Sequence, residues 1–183
     1  MRAVLLAIIL MGSLPLGAMS QTNSPSTKNP AEMMREMRLK ILNPASQMGL
    51  KPSKDYPRIA AVLMDWPMGT NVISVYGACT GDASIYTTAT FGVLGGVGHE
   101  PVRRAAHELV KIGERYFDAA VSTKDFPYPK PGNICFYLVC YEEVRKIEVD
   151  EDSLNNGSSK YSDLGAAAQK LITELRQIVQ NNG

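Results

Sequence analysis

The chain has 183 residues, with 19 Lys and Arg against 18 Asp and Glu and 45% hydrophobic residues. That length suits one domain with a tail and is enough to bury a core. The near-neutral balance gives no electrostatic footprint for nucleic acid, where affinity comes mainly from neutralised phosphates.

Residues 1–20 have the layout of a secretory signal peptide. Arg2 precedes an apolar run from Ala3 to Met11; Pro15 breaks the helix, and Ala18 and Ser20 form an A-x-S cleavage site. The protein is therefore expected to be exported, periplasmic or secreted. A retained anchor fits less well, because the stretch from Ala3 to Ala18 is interrupted and shorter than the about 20 apolar residues a spanning helix needs. No later segment reads as a bilayer span. Cleavage removes a single charge, Arg2, and leaves 18 of each sign.

Residues 21–57 read as a tail. QTNSPSTKN is polar and predicted to be disordered. A helix is predicted over about 30–42, with Asn29 as N-cap, Pro30 at the first helical position and Glu32 at N3. It carries Met33, Met34, Met37, Ile41 and Leu42 among Arg35, Arg38 and Lys40, so it could dock on a partner, on an anionic membrane or on its own sheet. Pro44, Gly49, Pro52 and Pro57 then mark a linker.

The body spans 58–183. RIAAVLMDW, NVISVYG and ASIYTTAT are predicted as three antiparallel strands joined by turns at 67–70 and 79–82. A glycine-rich junction, FGVLGGVGHE, leads to a helix expected from Pro101 to about Val121. The proline-punctuated loop STKDFPYPKPG should be extended. NICFYLVCY and VRKIEV are two further strands, DEDSLNNGSS an acidic loop, and Tyr161 to about Gln180 a last helix. The expected fold is α+β: a five-stranded, mainly antiparallel sheet in the order βββαββα with an extra N-terminal helix, the helices packed on the sheet.

The first and fourth strands are apolar on both faces. Simple alternation puts Ile59, Ala61 and Leu63 on one side and Ala60, Val62, Met64 and Trp66 on the other. The fourth divides Ile134, Phe136 and Leu138 from Cys135, Tyr137 and Val139. Both faces of the sheet centre therefore need cover. If the two long helices share one face, the methionine-rich helix or a second copy must shield the other.

Cys79, Cys135 and Cys140 are the three thiols. Cys135 and Cys140 lie five residues apart on one strand, roughly 16 Å, too far to bridge each other. Cys79 with either of them stays open, as does the reading that all three are small buried side chains. The best candidate for ligand binding is the glycine-rich turn: Gly95, Gly96, Gly98, His99 and Arg103 at a helix N-terminus could hold an anion. The competing reading is a crowded turn that needs glycine geometry. The turn lacks the P-loop G-K-[ST] and a dinucleotide fingerprint. His99 and His107 are two helical turns apart, roughly 12 Å, too far to share a metal. G-x-S-x-G is missing, so no catalytic residue is assigned. An EF-hand fails at Leu154, and Asn156-Gly157-Ser158 is formally a glycosylation sequon. No pattern calls for a cofactor or metal.

The segment from Gly81 to Leu109 resembles small bacterial proteins of unassigned function that share an Asp/Ser/Tyr strand, a glycine-rich turn and an H-x-x-V-R helix start. Asp82, Ser84, Tyr86, Gly95, Gly96, His99, Val102 and Arg103 carry the match. The order of elements also resembles profilin-like and roadblock-type domains, which implies a binding or dimerisation platform. The expectation is an exported non-catalytic domain whose partner is itself, an envelope protein or a small ligand. The alternative is a small enzyme using the glycine-rich turn, with His99 and Arg103 as acid/base and charge partners.

Overall fold

The longest apolar run becomes the central strand. In the computed structural model, which describes residues 29–89 and 92–181, Ile59–Met68 (β1) pairs with Asn71–Ala78 (β2) on one side and Asn133–Cys140 (β6) on the other. The signal-peptide reading falls on residues outside those described, as does that of the polar segment 21–28. β1 and β2 are joined by a two-residue turn, Gly69-Thr70, with Gly69 at φ +61°, the left-handed backbone a tight hairpin needs.

The sheet has seven strands, not five. Its order is β4-β3-β2-β1-β6-β7-β5, all antiparallel, with β3 Ala83–Thr87, β4 Gly92–Leu94, β5 Val121–Thr123 and β7 Val144–Asp150. The two extra strands form the edges and have three residues each. Strands so short carry no alternation to read; their neighbours' free backbone groups define them. β4 lies inside the glycine-rich junction. β5 takes up Val121, the expected last residue of a helix, and the first two residues of the loop expected to be extended.

That helix, α2, runs Glu100–Glu114 and stops early. Gly113 packs on the sheet, where a Cβ would lie 2.7 Å from Val62 Cγ2. Tyr116 then turns outward to donate its hydroxyl to the Lys160 carbonyl, and the chain returns through a 3-10 turn at Phe117–Ala119 to form β5. The acidic loop also contains a short helix, α3 (Glu151–Asn155), capped by Asp150, which accepts from the Ser153 amide. The last helix, α4, spans Ser162–Asn181.

Both faces of the sheet are covered within one chain. On one face Val62, Met64, Val75, Phe136 and Leu138 pack beneath α2 and α4. On the other, Leu63, Tyr76, Tyr86, Tyr137 and Val139 lie beneath Pro30–Ile41 (α1), the segment that follows it and the loop around Phe126. α1 starts as its sequence requires: the Asn29 side chain accepts from the Ala31 amide, with Pro30 in the first turn. The linker after it contains a 3-10 turn, Ala45–Met48.

Simple alternation along β1 fails at one point. Ile59 faces Cys140 but Ala61 faces Val139, so two residues oppose one step of β6. The bulge reverses the phase. Ile59 joins Val62, Met64 and Trp66 on the α2/α4 face, while Ala61, Leu63 and Asp65 turn to the α1 face. In β6, where no bulge intervenes, the expected division holds.

Candidate functional site

The glycine-rich turn connects β4 to α2. Gly95 adopts φ +79°, and Gly96–Gly98 form a 3-10 turn. Gly96 is buried; a Cβ there would lie 2.5 Å from Val102 Cγ1 and 2.9 Å from Leu175 Cδ2, so this glycine lets the turn sit against α2 and α4. Gly98 has open space around it. His99 is the exposed N-cap of α2, and its side chain makes no capping bond. Arg103 donates from Nη1 to the Val97 carbonyl at 2.8 Å and so ties the turn to the first turn of the helix. Glu100 puts a carboxylate at the same helix end, in the place an anion would take.

Arg103 and His107 are brought together against the turn between β2 and β3. A Cβ at Gly81 would lie 3.0 Å from His107 Nε2 and 3.1 Å from Arg103 Cγ. His107 Nδ1 shares a 2.8 Å hydrogen bond with the Tyr56 hydroxyl. From here an open groove of about 690 Å³ follows the outer face of α2, lined by Arg103, Arg104, His107, Lys111 and Arg115 with Glu100 and Glu108. The carboxylates have partners: Glu108 pairs with Lys170 of α4 at 2.6 Å, and Glu100 with Arg104 at 4.0 Å. Arg115 pairs with Asp163. Lys111 has no ion pair among the described residues, so the groove presents net positive charge.

A second centre lies under α1, and the sequence reading missed it. Arg38 is 1% exposed and Asp65 0%. Arg38 Nε donates to both carboxylate oxygens at 3.1 Å, and Nη2 also donates to Asp65. Nη1 donates to the Phe126 carbonyl at 3.0 Å. The Tyr128 and Tyr137 rings lie 4.4 and 5.5 Å from the guanidinium carbon, within cation–π range. Ser74 donates its hydroxyl to Asp65. Burial pushes the Asp65 carboxyl up, and the Arg38 and Ser74 hydrogen bonds oppose that push. Arginines between methionines on an amphipathic helix look solvent-facing. The overlooked signal was Asp65, a carboxylate inside an apolar strand.

Comparison with family models, curated proteins and solved structures found no match to this chain. Function therefore rests on the geometry alone.

The thiols are free: Cys79 is half-buried, Cys135 and Cys140 are buried, and the last two lie on opposite faces of the sheet. Burial pushes all three thiols up, Cys135 to about 11 and Cys140 to about 12. Near neutrality they are protonated and poor nucleophiles. Among the described residues, no group of three or more His, Cys, Asp or Glu is placed to hold a metal ion, and no helix is long and apolar enough to cross a membrane.

Proposed function

We propose that this chain is an exported, non-catalytic binding domain that presents the outer face of α2 to an anionic partner. The observation that carries this reading is the charge of the groove along α2. Its two carboxylates are each paired with a cation, while Lys111 and His107 still face the opening. An open helical face suits a surface contact rather than an enclosed reaction. Export rests on residues 1–20. The enzyme alternative has less support, because Gly96 is occupied in packing and Arg103 in holding the Val97 carbonyl.

The test is a thermal-shift series on the mature chain with inorganic phosphate, pyrophosphate and a poly-glutamate peptide. Any ligand of the native state stabilises it, by about 2.7 kcal/mol at a hundredfold excess over Kd, and so raises the midpoint. We expect a response to the acidic peptide that falls with salt and is lost in Lys111→Glu. No response, or one unchanged by that substitution, refutes the reading.

A further inference from the structure

The His107 ring is fixed at the wall of the α2 groove. Its Nδ1 shares the 2.8 Å bond with the Tyr56 hydroxyl, and the two rings meet edge to face with centroids 5.9 Å apart. Its Nε2 lies against the β2–β3 turn, in room that a Cβ at Gly81 would take. Burial pushes the Tyr56 hydroxyl up, so it keeps its proton near neutrality. The bond to Tyr56 survives either charge state of the imidazole. A neutral ring accepts the hydroxyl proton at Nδ1 or donates from it; a charged ring carries a proton on both nitrogens and donates to the hydroxyl oxygen. Charge can therefore be added to the ring without moving it.

The groups around the ring come from several elements. On α2, Arg103 and Lys111 stand one turn to either side of His107, Arg104 lies on the same face, and Glu108 is held by Lys170 of α4. The segment before β1 brings Tyr56, with Asp55 beside it. The β2–β3 turn brings Asp82, which accepts from the Thr80 hydroxyl at 2.7 Å, and Cys79, whose thiol is pushed up by burial. Arginine, lysine and ionised carboxylates keep their charge through neutrality, whereas an imidazole gains or loses its own there. The chain has two histidines. The other, His99, caps the start of α2 and does not line the groove.

We propose that proton uptake at His107 regulates the α2 groove: an anionic partner binds together with a proton, so the contact tightens as pH falls and loosens as pH rises. This rests on the reading of the groove as a face for an anionic partner. The sign follows from linkage. A carboxylate seated beside Lys111 and His107 favours the charged imidazole. The bound state then holds more protons than the free one, and lower pH favours it. The test measures the affinity of a poly-glutamate peptide for the mature chain at constant ionic strength, between about pH 6.5 and about pH 8.5, where the peptide stays ionised. We expect binding about three- to tenfold tighter at the acid end. The dependence should vanish in His107→Gln and persist in His99→Gln. Binding of equal strength at every pH overturns the proposal and leaves the groove reading standing; no binding at any pH refutes both. A pH dependence that survives in His107→Gln also overturns it, because the proton is then taken up elsewhere. Should His107→Gln fail to fold, calorimetry in two buffers of different ionisation heat counts the proton directly. Uptake on binding, retained in His99→Gln, supports the proposal, and zero uptake refutes it.

Discussion

Replacing Arg38 by alanine removes the cation and leaves Asp65 in place. Asp65 is fully buried and would keep only the Ser74 hydroxyl among its present side-chain donors. Removing one partner of a buried ion pair costs about 3–5 kcal/mol, mostly because the other charge is stranded. At about 2–4 °C per kcal/mol for a domain of this size, that is a fall of roughly 6–20 °C in melting midpoint. The loss has a ceiling. α1 joins the body through the short connection at Asn43 and Pro44, so it can lift off and let water reach Asp65 once the strain exceeds its docking free energy. The expected result is therefore one of two linked signals. Either the urea midpoint drops, or the midpoint holds and trypsin cuts α1 at Arg35 or Lys40 faster than in the wild type, where the docked helix should slow cleavage. The double variant Arg38→Met/Asp65→Leu should recover most of the loss, because apolar replacement of both partners is often neutral or favourable. An Arg38→Ala chain with wild-type stability and wild-type protease resistance would refute the reasoning.

Gly96→Ala should cost about 1–3 kcal/mol by overpacking against Val102 and Leu175, whereas Gly98→Ala, with open space around it, should stay within about 0.5 kcal/mol; urea melts of the pair decide it, and equal effects would contradict the packing account. Stability should also fall in alkali. Burial pushes the folded thiols of Cys135 and Cys140 up to about 11 and about 12, above the ordinary thiol range, so the unfolded chain loses protons first and is favoured as pH rises above about 9, at up to about 1.4 kcal/mol per pH unit for each thiol. Urea melts between pH 8 and pH 10 read this, and Cys135→Ala should flatten the slope. Deleting residues 21–57 uncovers Leu63, Tyr76 and Tyr137, so the truncated chain should self-associate or lose solubility by light scattering; a well-behaved monomer would show that the face needs no cover.

What was legible in the sequence follows from how local each signal is. The cap at Asn29, the alternation in β6 and the start of α2 are set by residues a few positions apart and lie where their patterns put them, whereas the end of α2 comes seven residues before the expected one. β4 and β5 were hidden because three-residue strands exist only by pairing with β3 and β7. The bulge at Ala60–Ala61 was hidden for the same reason: two alanines read identically in either phase. α3 was masked by acidic residues that look like a solvated loop yet include Asp150, a good N-cap. In the candidate sites, the glycines of the α2 turn were visible, but the close approach that Gly96 permits was not. The Arg38 seat was illegible from α1 alone, since its orientation is decided by a carboxylate 27 residues away.

The two faces of the sheet are covered by different physics, and this bears on which can move. Beneath α2 and α4 the contact is made by fully buried aliphatic side chains, among them Leu109, Val110, Leu164, Leu171 and Leu175, each contributing about 1.5–3 kcal/mol by leaving water. That contact is strong and non-directional. Beneath α1 the helix offers partly buried methionines and one buried arginine, so much of its hold depends on the geometry of the Asp65 carboxylate, the Phe126 carbonyl and the tyrosine rings around Arg38. Such a contact is selective without being strong, because the gain from the ion pair is set against the desolvation of two charges. The α2/α4 face carries the larger aliphatic burial, and the α1 face the more directional contact.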